Sequence, residues 1–179
     1  MDIYMPMSTT KRHNEVINTF IGDILPLRRK KEAHAFSEQC ALVYWGTKDL
    51  PDGFELVNPE EIDDVEHFKD ITIMELQYVQ PDFMLFKNNP YLENRQRTRT
   101  AGQPDLIVEV WSEGNLKNDR AFLQNLYATS EITEHWYIEQ DSNEVICYIG
   151  KKRLKNQFLT DMLTTRGGLK FDLRYLAIP

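Results

Sequence analysis

Two short stretches decide the predicted fold: VQPDFMLF at residues 79–86 and QPDLIVEVW at residues 103–111. In each, Gln-Pro-Asp precedes an apolar run of the length typical of strands that are buried on both faces. Proline is tolerated where a strand starts, because no ladder donor is needed there. Glu109 interrupts the second run, and a carboxylate in a buried strand is costly unless something pairs with it or binds it. If the two strands are neighbours, Asp82 and Glu109 converge on one oxygen-rich point, which hard divalent cations prefer.

The remaining elements predict an α/β domain. Apolar residues at helical spacing follow the possible caps at residues 8–10, and they predict a helix that ends near Pro26. The strand pattern recurs at residues 39–45, 71–76, 78–86, 106–111, 134–139, 145–149 and 158–163, and a second helix is predicted at 118–128. This order favours a mixed sheet flanked by helices over a helical bundle or a β-sandwich.

The chain has 179 residues, which predicts a single domain over residues 1–179. Its formal charge of -7 argues against a broadly basic nucleic-acid binder. The charge is uneven, because residues 49–75 are strongly acidic while basic clusters lie at residues 95–99 and 151–155. A local basic groove is compatible with an acidic total, since fields are felt within a Debye length of about 8–10 Å.

Cysteine usage and hydropathy predict a reduced, cytoplasmic protein. Cys40 and Cys147 lie far apart in apolar surroundings, without metal-ligand spacing or a disulfide framework, and are predicted to be buried thiols. The first residues lack the basic flank and apolar run of a signal peptide. No stretch approaches the roughly 18 apolar residues that a membrane span needs.

The motifs, taken in order, resemble the Uma-two family of restriction-endonuclease-like domains, within the superfamily often written PD-(D/E)XK. The resemblance extends over nearly the whole chain. The matching pieces are His13 with Val16, residues 79–82, residues 104–112, Asp119 with Tyr127, residues 134–138, Gly168 with Leu169, and the region of residues 173–176.

The resemblance implies a metal-dependent endonuclease that hydrolyses DNA, with Asp82 and Glu109 as the catalytic, metal-binding acids and Mg²⁺ or Mn²⁺ as cofactor. The backbone carbonyl of Val110 is a candidate further ligand, and His13 or Glu15 could assist from the first helix. Cleavage of both strands often needs two sites, so a homodimer is expected.

The long loop predicted at residues 87–103 carries Arg95, Arg97 and Arg99. A loop of this length between core strands is unusual unless it has a function. The three arginines are candidates for phosphate contact, which would make DNA binding strongly salt-dependent. The alternative is ordinary exposed loop charge.

One departure from the family pattern supports a second hypothesis. The superfamily has a lysine two residues after the second acid, where this chain has Trp111, and the family places it four residues before Tyr127, where this chain has Leu123. Lys117 and Arg120 lie nearby in sequence. The alternative function is therefore a catalytically impaired relative that binds nucleic acid or a protein partner.

Other polar residues near the motifs are interpreted as structural. Asp105 is expected to cap backbone amides at a turn, and Asp119 to be a helix cap or a surface acid. Glu134 could pair with a base, while Trp136 and Tyr137 are expected in the core.

Overall fold

The computed structural model describes residues 10–37, 41–44, 77–87, 99–101, 104–111, 117–128 and 133–179. The predicted strand at residues 71–76, the acidic segment at 49–75, Cys40, Arg95 and Arg97 lie outside these ranges. In the described part of the chain, no helix is long and apolar enough to cross a membrane.

The first helix, α1, spans Lys11–Arg29. Thr10 caps it, because the Thr10 hydroxyl accepts the His13 backbone N–H at 3.1 Å. The predicted end at Pro26 is wrong, since the helix continues for three more residues. A proline removes one donor, but its own carbonyl still accepts, and Pro26 receives the Lys30 N–H at 3.4 Å.

Twelve strands and a second α-helix complete the described residues. Five strands precede the strand that contains Glu109: β1 (Ala33–Ser37), β2 (Ala41–Tyr44), β3 (Gln77–Val79), β4 (Phe83–Lys87) and β5 (Arg99–Ala101). They are followed by β6 (Leu106–Trp111), α2 (Lys117–Tyr127), β7 (Glu134–Glu139) and β8 (Glu144–Ile149). The short strands are β9 (Lys152–Arg153), β10 (Gln157–Phe158), β11 (Leu163–Thr164) and β12 (Lys170–Phe171), before a 3-10 turn at Arg174–Leu176.

The central sheet is mixed, as predicted. Seven described strands form it in the order β1-β4-β6-β7-β8-β10, with β9 paired to β8. Strands β6 and β7 are parallel, while β4 is antiparallel to β6 and β8 is antiparallel to β7. Parallel neighbours need a crossover connection, and α2 lies in the connection between β6 and β7. Two further small sheets have the orders β3-β2-β5 and β11-β12.

Most predicted strands are confirmed, and those at residues 106–111 and 134–139 match β6 and β7 throughout. The extended stretch predicted at 78–86, with Pro81 as a strand start or a kink, is confirmed, because the chain bends at Pro81 and Asp82 and the stretch is divided between two sheets. The strand predicted at 158–163 is likewise two short strands, β10 and β11, in different sheets. The loop predicted at 87–103 includes β5, which pairs with β2. Strand β1 was not predicted.

The central sheet is buried on both faces, which explains the nearly continuous apolar run of β6. On one face, Phe20 of α1 meets Phe83 and Phe171, with ring centroids 5.1 and 4.7 Å away. On the other face, Met84, Leu126, Tyr127 and Tyr137 belong to a second apolar cluster. Because side chains alternate along a strand, Glu109 falls on this second face, between Ile107 and Trp111.

Candidate active site

The structure brings Asp82 and Glu109 together at the end of β4 and β6. The two strands pair with Phe83 opposite Val108 and Met84 opposite Ile107, so the same register continued by one residue sets Asp82 opposite Glu109. Glu109 accepts a hydrogen bond from the Asp82 backbone, and the two carboxyl groups interact directly. Both residues are buried, at 4% and 5% exposure. The predicted convergence of the two acids is therefore present in the geometry.

The environment of Glu109 disfavours its negative charge. Burial is the largest cause that raises the pKa of Glu109 well above its usual range, and the negative charge of Asp82 raises it further. The Tyr127 hydroxyl partly opposes this by donating a hydrogen bond to Glu109 Oε1 at 2.5 Å. Burial, followed by the charge of Glu109, raises the pKa of Tyr127 as well, so this phenol keeps its proton and remains a donor. The acid pair is thus stable only with a proton or a cation to offset its charge.

The backbone of Val110 faces the first acid. The Gln140 N–H donates to the Trp111 carbonyl at 2.8 Å, so Trp111 points its backbone groups towards β7. Val110, the neighbouring residue, points towards β4, where its N–H donates to Asp82 Oδ2 at 2.7 Å. The Val110 carbonyl therefore lies on the side of the acids and stays a candidate ligand.

Of the two predicted helix residues, His13 lies beside the acid pair. It is buried in the first turn of α1, with its Nε2 3.4 Å from Asp82 Oδ1. The Thr10 cap holds this turn in place through the His13 backbone. Glu15 is different: its side chain is 42% exposed and pairs with Lys11 Nζ at 3.6 Å.

The two positions at which the family resemblance led us to expect a lysine are filled by apolar packing. Trp111 is buried and lies 4.3 Å from the Tyr137 ring, centroid to centroid. Leu123 packs at the margin of the apolar cluster that contains Tyr127. Arg120 lies over the Trp111 ring at 4.7 Å and forms an ion pair with Glu139 at 2.9 Å. The guanidinium is therefore held beside the position of the superfamily lysine.

A polar network behind Glu109 was not predicted as part of the site. Tyr137 lies opposite Glu109 in the ladder, and its hydroxyl is 2.7 Å from His135 Nδ1. His135 Nε2 in turn is 2.9 Å from the Gly150 carbonyl. The sequence holds a signal for this network, because alternation sets Tyr137 and His135 on the same face as Glu109 once β6 and β7 are paired. The sequence alone did not show that β6 and β7 pair.

The remaining predicted residues lie elsewhere. Asp105 Oδ2 accepts the Lys87 backbone N–H at 2.6 Å, which is the capping role expected for it. Glu134 belongs to no described ion pair, but the charges of Arg166 and Lys87 oppose the rise in its pKa that burial causes. Its carboxylate accepts hydrogen bonds from Trp136 Nε1 and the Arg166 backbone. Arg99 opens β5, and Arg95 and Arg97 lie outside the described residues, so their contact with DNA stays a prediction.

The oxygen atoms of the site suit a hard divalent cation. The described residues contain no group of three or more His, Cys, Asp or Glu side chains that could hold a metal ion. Two carboxylates and one backbone carbonyl nevertheless match Mg²⁺, which usually retains several waters and takes one or two protein carboxylates. Asp82, Glu109 and Val110 offer only oxygen, the atom type that Mg²⁺ and Mn²⁺ prefer.

Comparisons with known proteins agree with this architecture. A crystal structure of "a putative nuclease belonging to DUF820" from Anabaena variabilis superimposes with a TM-score of 0.58 at 14% sequence identity, covering 97% of this chain and 85% of that chain. At that identity the likeness shows the shared fold. No curated protein matches the sequence. The model of the Uma2 (Uma-two) family, described as "Putative restriction endonuclease", matches residues 68–173, which is more than half of the chain. The chain therefore belongs to the Uma2 family of restriction-endonuclease-like proteins.

Proposed function

We propose that this protein is a metal-dependent endonuclease that hydrolyses DNA phosphodiester bonds with Mg²⁺ or Mn²⁺ as cofactor. The observation that carries the proposal is the meeting of Asp82 and Glu109 at the edge of the central sheet. Membership of a family described as restriction endonucleases supports the same reaction class. A purely structural domain would have no use for two buried carboxylates that repel each other.

Each residue of the site has a distinct task in this proposal. A divalent cation bound there would offset charge on the phosphate and activate a water molecule for attack. Asp82 and Glu109 would hold the cation, and the Val110 carbonyl would add a third oxygen. Tyr127 orients Glu109 through its 2.5 Å hydrogen bond. His13, 3.4 Å from Asp82, positions the first acid, while a catalytic role for Glu15 remains a prediction.

The energetics of the acid pair support cation binding. Placing two carboxylates together in a buried position costs free energy, because each loses hydration and repels the other. A cation removes the repulsion and replaces part of the lost solvation. Such locally unfavourable arrangements cluster at functional sites, where the ligand compensates for them. The rigid strands β4 and β6 keep the oxygens in place before the ligand arrives.

A second function has its own support. Leu123 and Trp111 stand where related nucleases carry lysine, and Arg120 is already paired with Glu139. The alternative is a catalytically impaired relative that retains the fold and binds nucleic acid or a protein partner. DNA binding without cleavage would distinguish it from the enzyme.

The proposal extends to the location, the partner and the oligomeric state of the enzyme. We place it in the cytoplasm as one domain over residues 1–179, with DNA as its partner. A homodimer is expected, because cutting both strands of a duplex often uses two active sites and two-fold pairing is the commonest assembly. Arg95, Arg97 and Arg99 would contact DNA phosphates, and binding would weaken as salt rises.

Nicking of supercoiled plasmid tests the proposal. The wild type is assayed with Mg²⁺, with Mn²⁺ and with EDTA, beside Glu109→Gln, Asp82→Asn and the exposed control Asp161→Asn. We expect metal-dependent nicking by the wild type and the control, and a loss of at least roughly a hundredfold in the two site variants. Circular dichroism checks that each variant is folded.

Two outcomes count against the enzyme. If the wild type does not nick with either metal but still binds DNA in a salt-dependent way, the binding-module alternative is supported. If Glu109→Gln nicks as fast as the wild type, the acid pair is not the catalytic centre.

A further inference from the structure

A second candidate site lies at the opposite end of the central sheet from Asp82 and Glu109. It is a half-open cavity of roughly 340 Å³, which is within the range of about 300–1,000 Å³ for small-molecule sites. Its walls include Lys87 at the end of β4, Glu134 at the start of β7, and the loop that contains Arg166. None of these residues takes part in the proposed cleavage reaction.

The floor of the cavity is one row of residues that crosses four strands. In this row each residue stands opposite the next in the ladder: Leu85, Leu106, Glu134 and Ile149. Residues directly opposite each other share a face of the sheet. Leu85, Leu106 and Ile149 therefore provide an apolar floor that the Glu134 carboxylate interrupts.

Two cations, Lys87 and Arg166, line the cavity, and most of their N–H donors are available to a ligand. Lys87 Nζ makes one long hydrogen bond, 3.5 Å to the Gly167 carbonyl. No ion pair between described residues involves Lys87 or Arg166. An ammonium has three N–H donors and a guanidinium five, so most of their capacity is open to a ligand. Gly167 makes room for the ammonium, because a Cβ at that position would lie 3.0 Å from Lys87 Nζ.

The two acids in the lining are held by the protein itself. Asp105 Oδ2 accepts the Lys87 backbone N–H at 2.6 Å. Glu134 accepts Trp136 Nε1 at 2.8 Å through one oxygen and the Arg166 backbone N–H at 2.7 Å through the other. The surrounding segment is strongly basic, with six Lys or Arg and a single acid, Asp161, in residues 150–170. The charges of Lys87 and Arg166 act on Glu134, so the acids offset part of the positive field, and an anion would be held mainly by the N–H donors of the two cations.

We propose that this cavity binds a small phosphorylated molecule of about nucleotide size. Its phosphomonoester group lies between Lys87 and Arg166, which are donors suited to phosphate oxygens. Its organic part covers the apolar floor formed by Leu85, Leu106 and Ile149. The phosphate could belong to a free nucleotide or to the phosphorylated end of a nucleic-acid strand, and these two sources share the same recognition chemistry.

Isothermal titration calorimetry in EDTA tests the site apart from metal binding at Asp82 and Glu109. The probes are adenosine monophosphate, adenosine, and a short oligonucleotide with and without a 5′-phosphate. We expect each phosphorylated probe to bind more tightly than its unphosphorylated counterpart, and this advantage to fall roughly tenfold or more in Lys87→Met and Arg166→Met. Lys11→Met is the matched control, because it removes one exposed lysine beside Glu15 at the start of α1.

Gly167→Ala provides a second variant that keeps every charge. Its methyl group would displace the Lys87 ammonium, and we expect weaker binding of adenosine monophosphate. Equal binding of adenosine and its monophosphate, equal weakening by Lys11→Met, or no saturable binding at millimolar concentration would overturn the proposal. Preference for the phosphorylated oligonucleotide would assign the site to a strand end, and preference for the mononucleotide would assign it to a free ligand.

Discussion

Among single residues, His135 gives the clearest prediction of how folding stability depends on pH. Burial lowers the pKa of this imidazole from 6.5 to about 4, and its hydrogen bond to the Gly150 carbonyl only partly opposes the effect. In the unfolded chain the same imidazole takes up a proton near pH 6.5. The unfolded state therefore binds the proton first as the pH falls, and the folded state loses stability between about pH 6.5 and 4.

Urea denaturation of the wild type and His135→Gln at pH 7.5, 6 and 5 checks this. We expect the stability advantage of the wild type to shrink by about 2 kcal/mol between pH 7.5 and 5, since only the wild type carries the imidazole. The raised pKa values of Glu109 and Glu134 act in the opposite direction, because those acids gain their proton first in the folded state. They are present in both proteins and largely cancel in the difference. A constant difference across the pH range would contradict the prediction.

For the elements, helix α2 carries the departure that matters most for activity. Leu123 stands one helical turn before Tyr127, whose hydroxyl reaches Glu109. A lysine there would have a stem long enough to cover the apolar margin and bring its ammonium towards the acids. We expect Leu123→Lys to raise the nicking rate roughly tenfold or more, because a nearby cation stabilises charge on the phosphate.

Leu123→Met is the control for that change, since it has a similar flexible stem without a charge. Plasmid nicking at equal protein concentration is the measurement. A rate increase in both variants would indicate a packing effect, and no increase in either would show that the missing lysine does not limit the reaction.

For the whole molecule, Phe20 ties α1 to three strands of the fold. Its ring packs against Phe83 of β4, Phe171 of β12 and Trp136 of β7. We expect Phe20→Ala to lower the free energy of unfolding by about 3–5 kcal/mol. The substitution leaves a cavity that the neighbouring side chains can fill only in part. Leu25→Ala on the same helix, where the side chain is 39% exposed, should cost less than about 1 kcal/mol.

The same denaturation curves test the prediction of a single domain. Far-ultraviolet circular dichroism and tryptophan fluorescence should report one coincident transition, since a single domain of this size usually unfolds cooperatively. Two separated transitions would show that residues 1–179 contain more than one folding unit.

How far the sequence leads can be judged from particular elements. Strand β6 was predictable from an apolar run that only Glu109 interrupts, and β7 from the apolar centre at residues 136–138. A strand start or a kink at Pro81 was also predictable, but the passage of the chain from one sheet to another at this point was not, because sheet membership depends on pairing with distant residues. The helix end at Pro26 was misplaced because tertiary packing retains a turn that proline only weakens.

By itself, the sequence determined the buried strands, the helix faces and the two acids, one of which precedes its strand while the other interrupts its strand. These features were readable because periodicity and the cost of burying charge are local properties. Only the tertiary structure decided which groups meet. It set Asp82 opposite Glu109, brought His13 and Tyr127 to them, and assigned Arg120 to Glu139. It also brought Lys87 and Arg166 to one cavity at the far end of the sheet. Strand register and helix packing join residues far apart in the chain, and no local pattern records those pairings.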